Sequence, residues 1–162
     1  MSGTITIEPL NAAGFAPFGD VLEAAGAPDA VINQGMCGRY HDRAQLDFSD
    51  GRAGISLFQA RLRALPYTLD LMERHPLGSQ AFIPMSMEAF LVIVAEDLGN
   101  RPGKPRAFLT APGQAVNIHR NTWHGVLTPL AGSGLFAVID RIGAGRNLEE
   151  FRFETAWQVV ED

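Results

Sequence analysis

Short apolar or alternating runs, cut every few positions by glycine or proline and almost without helical period, constrain this chain to an all-β fold. With 17 glycines and 10 prolines in 162 residues, punctuation recurs too often for long helices. Thr4-Ile5-Thr6-Ile7-Glu8 alternates as an opening strand and Pro9 ends it. Asn11 suits the N-cap of a short helical turn that Gly14 and Pro17 keep short, with Phe15 and Phe18 as core anchors. Further strands are expected over 54–58, 68–72, 106–110, 116–118, 135–140 and 151–153. Ala89-Phe90-Leu91-Val92-Ile93-Val94-Ala95 is apolar without interruption, the signature of a strand buried on both faces, in a barrel core or at a dimer contact. The fold class that follows is a β-barrel or sandwich with few short helices, in one domain spanning 1–162 without internal repeat or linker.

Composition removes several function classes. A hydrophobic fraction of 46% and a charged fraction of 19% are those of a globular domain rather than a disordered one. The net charge of −5, with Lys104 the only lysine, argues against a nucleic-acid-binding face. The longest apolar run is too short to cross a bilayer, and the first residues carry neither a basic leader nor an apolar core, so a cytoplasmic protein is expected. One cysteine, Cys37, cannot form an internal disulfide, and with Gly38 and Arg39 beside it in sequence it has no evident base to make it a nucleophile.

Proton-active side chains interrupt the apolar pattern in Glu73-Arg74-His75-Pro76-Leu77-Gly78-Ser79-Gln80. Two residues apart, Glu73 and His75 share one face of an extended strand, with Met72 and Arg74 on the other. Pro76-Leu77-Gly78 then breaks the strand, and Gln80 brings a third polar group back toward the first two. His119 and His124 lie five apart, which puts them on opposite faces of an uninterrupted strand, so both reach one pocket only if a turn intervenes. Between Ile32 and Asp42, Asn33, Arg39, Tyr40 and His41 form a polar cluster that suits equally a solvated hairpin or recognition of a small polar anion.

These spacings resemble the two cupin motifs. Glu73, His75, Gln80 and Met87 stand where the first motif has His, His, Glu and Gly, while Gly113 and His119 through His124 approximate the second, with His124 on its metal-ligand position. The literal strings are more specific. Glu73 through Met85, His119-Arg120-Asn121-Thr122-Trp123-His124, Phe15-x-x-Phe18-Gly19-Asp20-Val21, Arg39-Tyr40-His41-Asp42 and Ile139-Asp140-Arg141 resemble the ureidoglycolate lyase family along essentially the whole chain. The resemblance implies a cupin-like double-stranded β-barrel of jelly-roll type, a homodimer, and cleavage of (S)-ureidoglycolate to glyoxylate and urea in allantoin and purine-nitrogen degradation.

Such an elimination needs a base for the hydroxyl proton, an acid for the departing nitrogen, and cations or amide donors for the carboxylate. The expected catalytic residues are therefore His75, His124, Glu73 and His119, with Gln80, Asn33, Arg39, Tyr40, His41 and Arg120 binding substrate. Glu73, His75, Gln80 and His124 could also hold a borderline divalent ion such as nickel, manganese or zinc, and a metal-free site in which Glu73 orients His75 is the alternative. The competing functions are a non-catalytic cupin that binds a small carboxylate and a metal-dependent cupin oxygenase. The oxygenase would ordinarily use more histidines.

Overall fold

The computed structural model describes residues 3–162, so Met1 and Ser2 of the expected 1–162 domain lie outside the described residues. In chain order the strands are β1 (Thr4–Pro9), β2 (Gly19–Leu22), β3 (Ala30–Ile32), β4 (Cys37–Arg39), β5 (Arg52–Gln59), β6 (Tyr67–Arg74) and β7 (Gln80–Pro84). They continue as β8 (Phe90–Ala95), β9 (Arg106–Leu109), β10 (Ala115–Ile118), β11 (Trp123–His124), β12 (Thr128–Pro129), β13 (Leu135–Ile142) and β14 (Glu149–Val160). A single helical turn, α1 (Ala12–Phe15), follows β1. As its sequence suggested, Asn11 caps it, with the side-chain oxygen accepting the Gly14 N–H at 2.8 Å.

Two large sheets make the body of the fold, and β3 and β4 pair as a separate two-stranded sheet. In the first, β6, β14, β1, β9 and β8 pair in succession, and β11 hydrogen-bonds to both β6 and β8, closing a six-stranded barrel. The second sheet, ordered β2-β10-β7-β13-β5, is antiparallel throughout and packs against the outside of that barrel. The expected cupin-like, nearly all-β barrel is present. One feature lies beyond the alternation pattern: β1 runs parallel to both of its neighbours, β14 and β9.

Because strand side chains alternate, β8 serves two cores at once. Phe90, Val92 and Val94 meet Phe82, Val116, Phe136 and Val138 between the sheets. Leu91, Ile93 and Ala95 face into the barrel with Leu69, Met72, Trp123 and Val159. The uninterrupted apolar run is thus explained by the interior of one chain. Around the inter-sheet core, Phe15 packs edge-on to Phe108 at 5.5 Å and Arg106 lies 4.9 Å above the Phe108 ring. Gly19 lets β2 approach β10 closely, since a Cβ there would stand 2.1 Å from the Asn117 carbonyl oxygen.

Phe108→Ala should cost about 3–5 kcal/mol in urea-unfolding stability, the range for truncating a fully buried aromatic. Val31→Ala, on an exposed strand, should change stability by less than about 0.5 kcal/mol.

Candidate active site at the barrel closure

The strand that closes the barrel also assembles the site. β6 carries Glu73 to the seam, and β11 sets His124 directly opposite it on one side and opposite Val94 on the other. His75 follows the end of β6 and projects to the same side as Glu73. Met72 and Arg74 turn the other way, Met72 into the barrel core and Arg74 to stack 4.4 Å above the Trp123 ring. The two imidazole rings are 5.1 Å apart, and one ligating atom from each of Glu73, His75 and His124 lies within 4.8 Å of the others.

Backbone carbonyls fix both tautomers. The His75 Nδ1 lies 2.7 Å from the Asn147 oxygen and the His124 Nδ1 2.8 Å from the Gly125 oxygen. A carbonyl only accepts, so both Nδ1 atoms carry the hydrogen, and in the neutral ring the lone pair is on Nε2. Both Nε2 atoms are buried without a partner, and that of His75 lies 3.9 Å from Glu73 Oε1. Buried polar atoms without partners are uncommon in folded proteins, and two aimed at one carboxylate point to a ligand. Imidazoles whose other nitrogen is tied to a carbonyl, beside a carboxylate, are a donor set that fits a divalent cation.

Burial pushes the His124 imidazole down to about 3, with nearby His75 adding to the shift and the Gly125 carbonyl opposing it, so His124 is neutral at ordinary pH. Burial likewise pushes the Glu73 carboxyl up; His75 opposes this and Glu150 reinforces it. Glu73 therefore holds a proton to higher pH than an exposed glutamate.

Gln80 opens β7 on the wall of the second sheet and is 6% exposed. Its Nε2 donates to Asp140 Oδ2 at 3.2 Å, while its Oε1 is buried without a partner. Phe82, one pleat along the same strand face, has its ring 6.3 Å from that of His124. A turn does intervene between His119 and His124, with Asn121 rather than glycine at positive φ (63°) and its N–H donating to the His75 carbonyl at 2.9 Å.

The turn does not bring His119 to the cluster. Its Nε2 lies 3.0 Å from Asp20 Oδ1, and Asn117 reaches the same carboxylate from the neighbouring position on β10's outward face. Burial alone would raise the Asp20 carboxyl, but hydrogen bonds from Asn117, the Gln45 backbone and His119 outweigh it and hold it low. Arg120 stays near the rim, its Nε donating to the Pro76 carbonyl at 2.7 Å.

The 30–41 segment contains a hairpin of β3 and β4. Asn33 sits exposed in the β3–β4 turn and Arg39 is exposed at the end of β4. The Tyr40 hydroxyl donates to the Gly26 carbonyl, and the His41 N–H to Asp29. Among the described residues, none of these four side chains hydrogen-bonds to Glu73, His75 or His124.

Asn147 carries no signal in sequence. Its carbonyl fixes His75 and its Oδ1 accepts the Leu77 N–H at 2.7 Å, a clamp across some seventy positions that no local pattern encodes. Asp140 was visible only as part of a string without a role. A separate cavity of about 530 Å³, lined by Thr4, Glu8, Phe18, Lys104 and Arg106 among others, lacks comparable chemistry. Arg106 is occupied there by two hydrogen bonds to Glu8, and none of the orphaned buried atoms lies on its wall.

A family model described as ureidoglycolate lyase matches residues 2–160. The chain is 62% identical over 148 residues to a ureidoglycolate lyase of Rhodobacter capsulatus, covering 91% of this chain and 92% of that protein. It is 52% identical to ureidoglycolate lyase 2 of Rhizobium meliloti, covering 96% of each chain. It is 49% identical to a ureidoglycolate lyase of a Chelativorans species, covering 96% and 95%.

The depressed His124 basicity has a measurable sign. Between pH 6.5 and about 3 the unfolded chain binds a proton there that the folded chain does not, so stability is complete above 6.5 and falls as pH drops toward 3. His124→Gln should flatten the acid limb of stability between about pH 6.5 and 4, read from urea-unfolding midpoints across that range.

Proposed function

The chain belongs to the ureidoglycolate lyase family, and from that premise we propose that Glu73, His75 and His124 cleave (S)-ureidoglycolate to glyoxylate and urea. The observation that carries this reading is the pair of inward, unpartnered Nε2 lone pairs beside a carboxyl that burial keeps prone to protonation. Hydroxyl and ureido nitrogen sit on the same substrate carbon, so the groups serving them must be neighbours. His75 and Glu73 are, at 3.9 Å.

In this reading His75 Nε2 takes the hydroxyl proton as the carbonyl forms, the C–N bond breaks, and Glu73 delivers its proton to the departing nitrogen. Urea leaves whole, and return of the proton from His75 to Glu73 restores the starting state. Neutral His124 offers a second acceptor to hold the substrate in line. Arg120 at the rim is the proposed cation for the carboxylate. The same Glu73, His75 and His124 would hold a nickel, manganese or zinc ion, with Gln80 as the fourth ligand expected from sequence. When bound, such an ion would acidify the α-hydroxyl and fix the carboxylate.

A second reading, a metal-dependent oxygenase, is favoured by one observation, since two histidines and a carboxylate are also the ligand set of non-haem iron oxygenases. Racemic ureidoglycolate incubated without oxygen separates the two. The lyase should release urea and glyoxylate in equal amounts, consume half the substrate, and form no ammonia in the absence of urease. Dependence on oxygen, or ammonia without urea, would remove the lyase reading.

His75→Ala, His124→Ala and Glu73→Gln should each lower turnover by about a hundredfold or more with the fold intact, and Cys37→Ser should leave it unchanged. Chelation followed by addition of nickel or manganese assigns the balance of roles. Activity that survives metal removal leaves acid–base chemistry alone.

No helix among the described residues is long and apolar enough to cross a membrane. Cytoplasmic residence is proposed because Cys37 has no internal disulfide partner, and fractionation of cells would test it. A homodimer is proposed because β5 is an edge strand whose Ile55 and Leu57 are 75% and 65% exposed. Across β13 they stand opposite Ile139 and Ala137, and Ala137 in turn stands opposite Ile83, making one apolar outer face. Light scattering should give a dimer mass at micromolar concentration, and Ile55→Lys with Leu57→Lys should shift it to the monomer.

A further inference from the structure

The geometry points to Gln80 as the acceptor for the terminal ureido N–H of the substrate, with Asp140 as the residue that aims it. This assignment rests on the lyase reading and deepens it.

Gln80 stands opposite Ile118 on one side and Asp140 on the other, and Ile118 belongs to the core between the sheets. Paired residues share a sheet face, so Gln80 projects from β7 toward that interior, next to Phe82, which touches His124 edge-on. An amide can present either its oxygen or its nitrogen to that interior. Asp140 decides which, because a carboxylate accepts and so draws Nε2 to itself at 3.2 Å, turning Oε1 away. Oε1 is then a buried acceptor without a donor.

An orphaned acceptor of this kind selects for a ligand that brings an N–H and disfavours one that brings a methyl group, which would leave it unpaired. In ureidoglycolate the terminal NH₂ is a donor that both glyoxylate and plain glycolate lack. A carboxylate-binding site alone has no use for such an acceptor. The arrangement therefore accounts for recognition of the ureido end, while Glu73, His75 and His124 act at the carbon that carries the hydroxyl.

Two unreactive ligands test this without turnover. Hydantoate is the substrate without its hydroxyl and keeps the terminal NH₂, and N-acetylglycine puts a methyl group in that place. Calorimetric titration of the full-length protein should show hydantoate bound about tenfold more tightly than N-acetylglycine. Gln80→Met should bring that ratio close to one with N-acetylglycine affinity little changed. Asp140→Asn should do the same by freeing the amide to flip, which covers the case in which Gln80→Met does not fold.

General loosening of the fold would weaken both ligands together. A ratio that persists in the folded variants, or no preference in the wild type, overturns the assignment. So does a fall in nickel or manganese affinity in Gln80→Met with the ratio unchanged, which would make Gln80 a metal ligand instead. A wild type that discriminates between the two ligands yet releases no urea from ureidoglycolate sinks the lyase reading and leaves the ureido subsite standing.

Discussion

Everything at the site depends on the double pairing of Trp123-His124. Two residues make a weak strand by themselves, yet this one must hydrogen-bond on both edges for the barrel to exist. Its anchor is Trp123, buried in the barrel core, with its indole N–H donating to Asp97 at 3.0 Å and the Arg74 guanidinium stacked on its face. Arg74 is held in turn by Glu149 at 2.7 Å and Asn100 at 3.2 Å. Since side chains alternate, fixing the tryptophan inward fixes the next residue, His124, outward against Glu73. Barrel closure and assembly of the Glu73, His75 and His124 cluster are one event.

Desolvation shapes the cluster. His124 is buried deeply enough to remain neutral, and burial pushes the Glu73 carboxyl up. Orientation comes from main-chain carbonyls rather than from acidic side chains behind the histidines. That choice leaves the imidazole lone pairs free while adding no further negative charge beside Glu73. The turn that bears His75 is fastened from several directions, by Asn147, by the Asn121 N–H and by Arg120 on the Pro76 carbonyl. Gly78 allows it to lie flat against Arg141, where a Cβ would come within 2.7 Å of the arginine stem.

What was legible in the sequence follows the range over which each constraint acts. The two-residue period alone put Glu73 and His75 together and Arg74 opposite, and it also separated His119 from His124. The 89–95 run read directly as a strand with two buried faces. Composition left the segment around Asn33 and Arg39 open between hairpin and binding loop, because exposed polar residues look alike in both. The clamp from Asn147 and the aiming of Gln80 by Asp140 join distant segments, one of them through a backbone carbonyl that every residue has. The parallel placement of β1 was equally hidden, because alternation gives a strand's faces and not its neighbours.

That placement makes the first strand the keystone of a non-local structure. Thr4 lies beside Gln158 and Ile7 beside Ala107, so the opening residues are lodged between segments roughly a hundred and a hundred and fifty positions away. Bringing such distant segments together carries a large loop-closure entropy before any contact compensates it, which slows folding relative to a chain of local hairpins. A nascent chain that has not yet exposed β14 leaves β1 without one partner and β6 without its longest one, with apolar strand edges open to solvent. For this topology, the interval between synthesis of β1 and arrival of β14 is when misassociation is most dangerous, and the barrel cannot mature piecemeal from its N-terminal end.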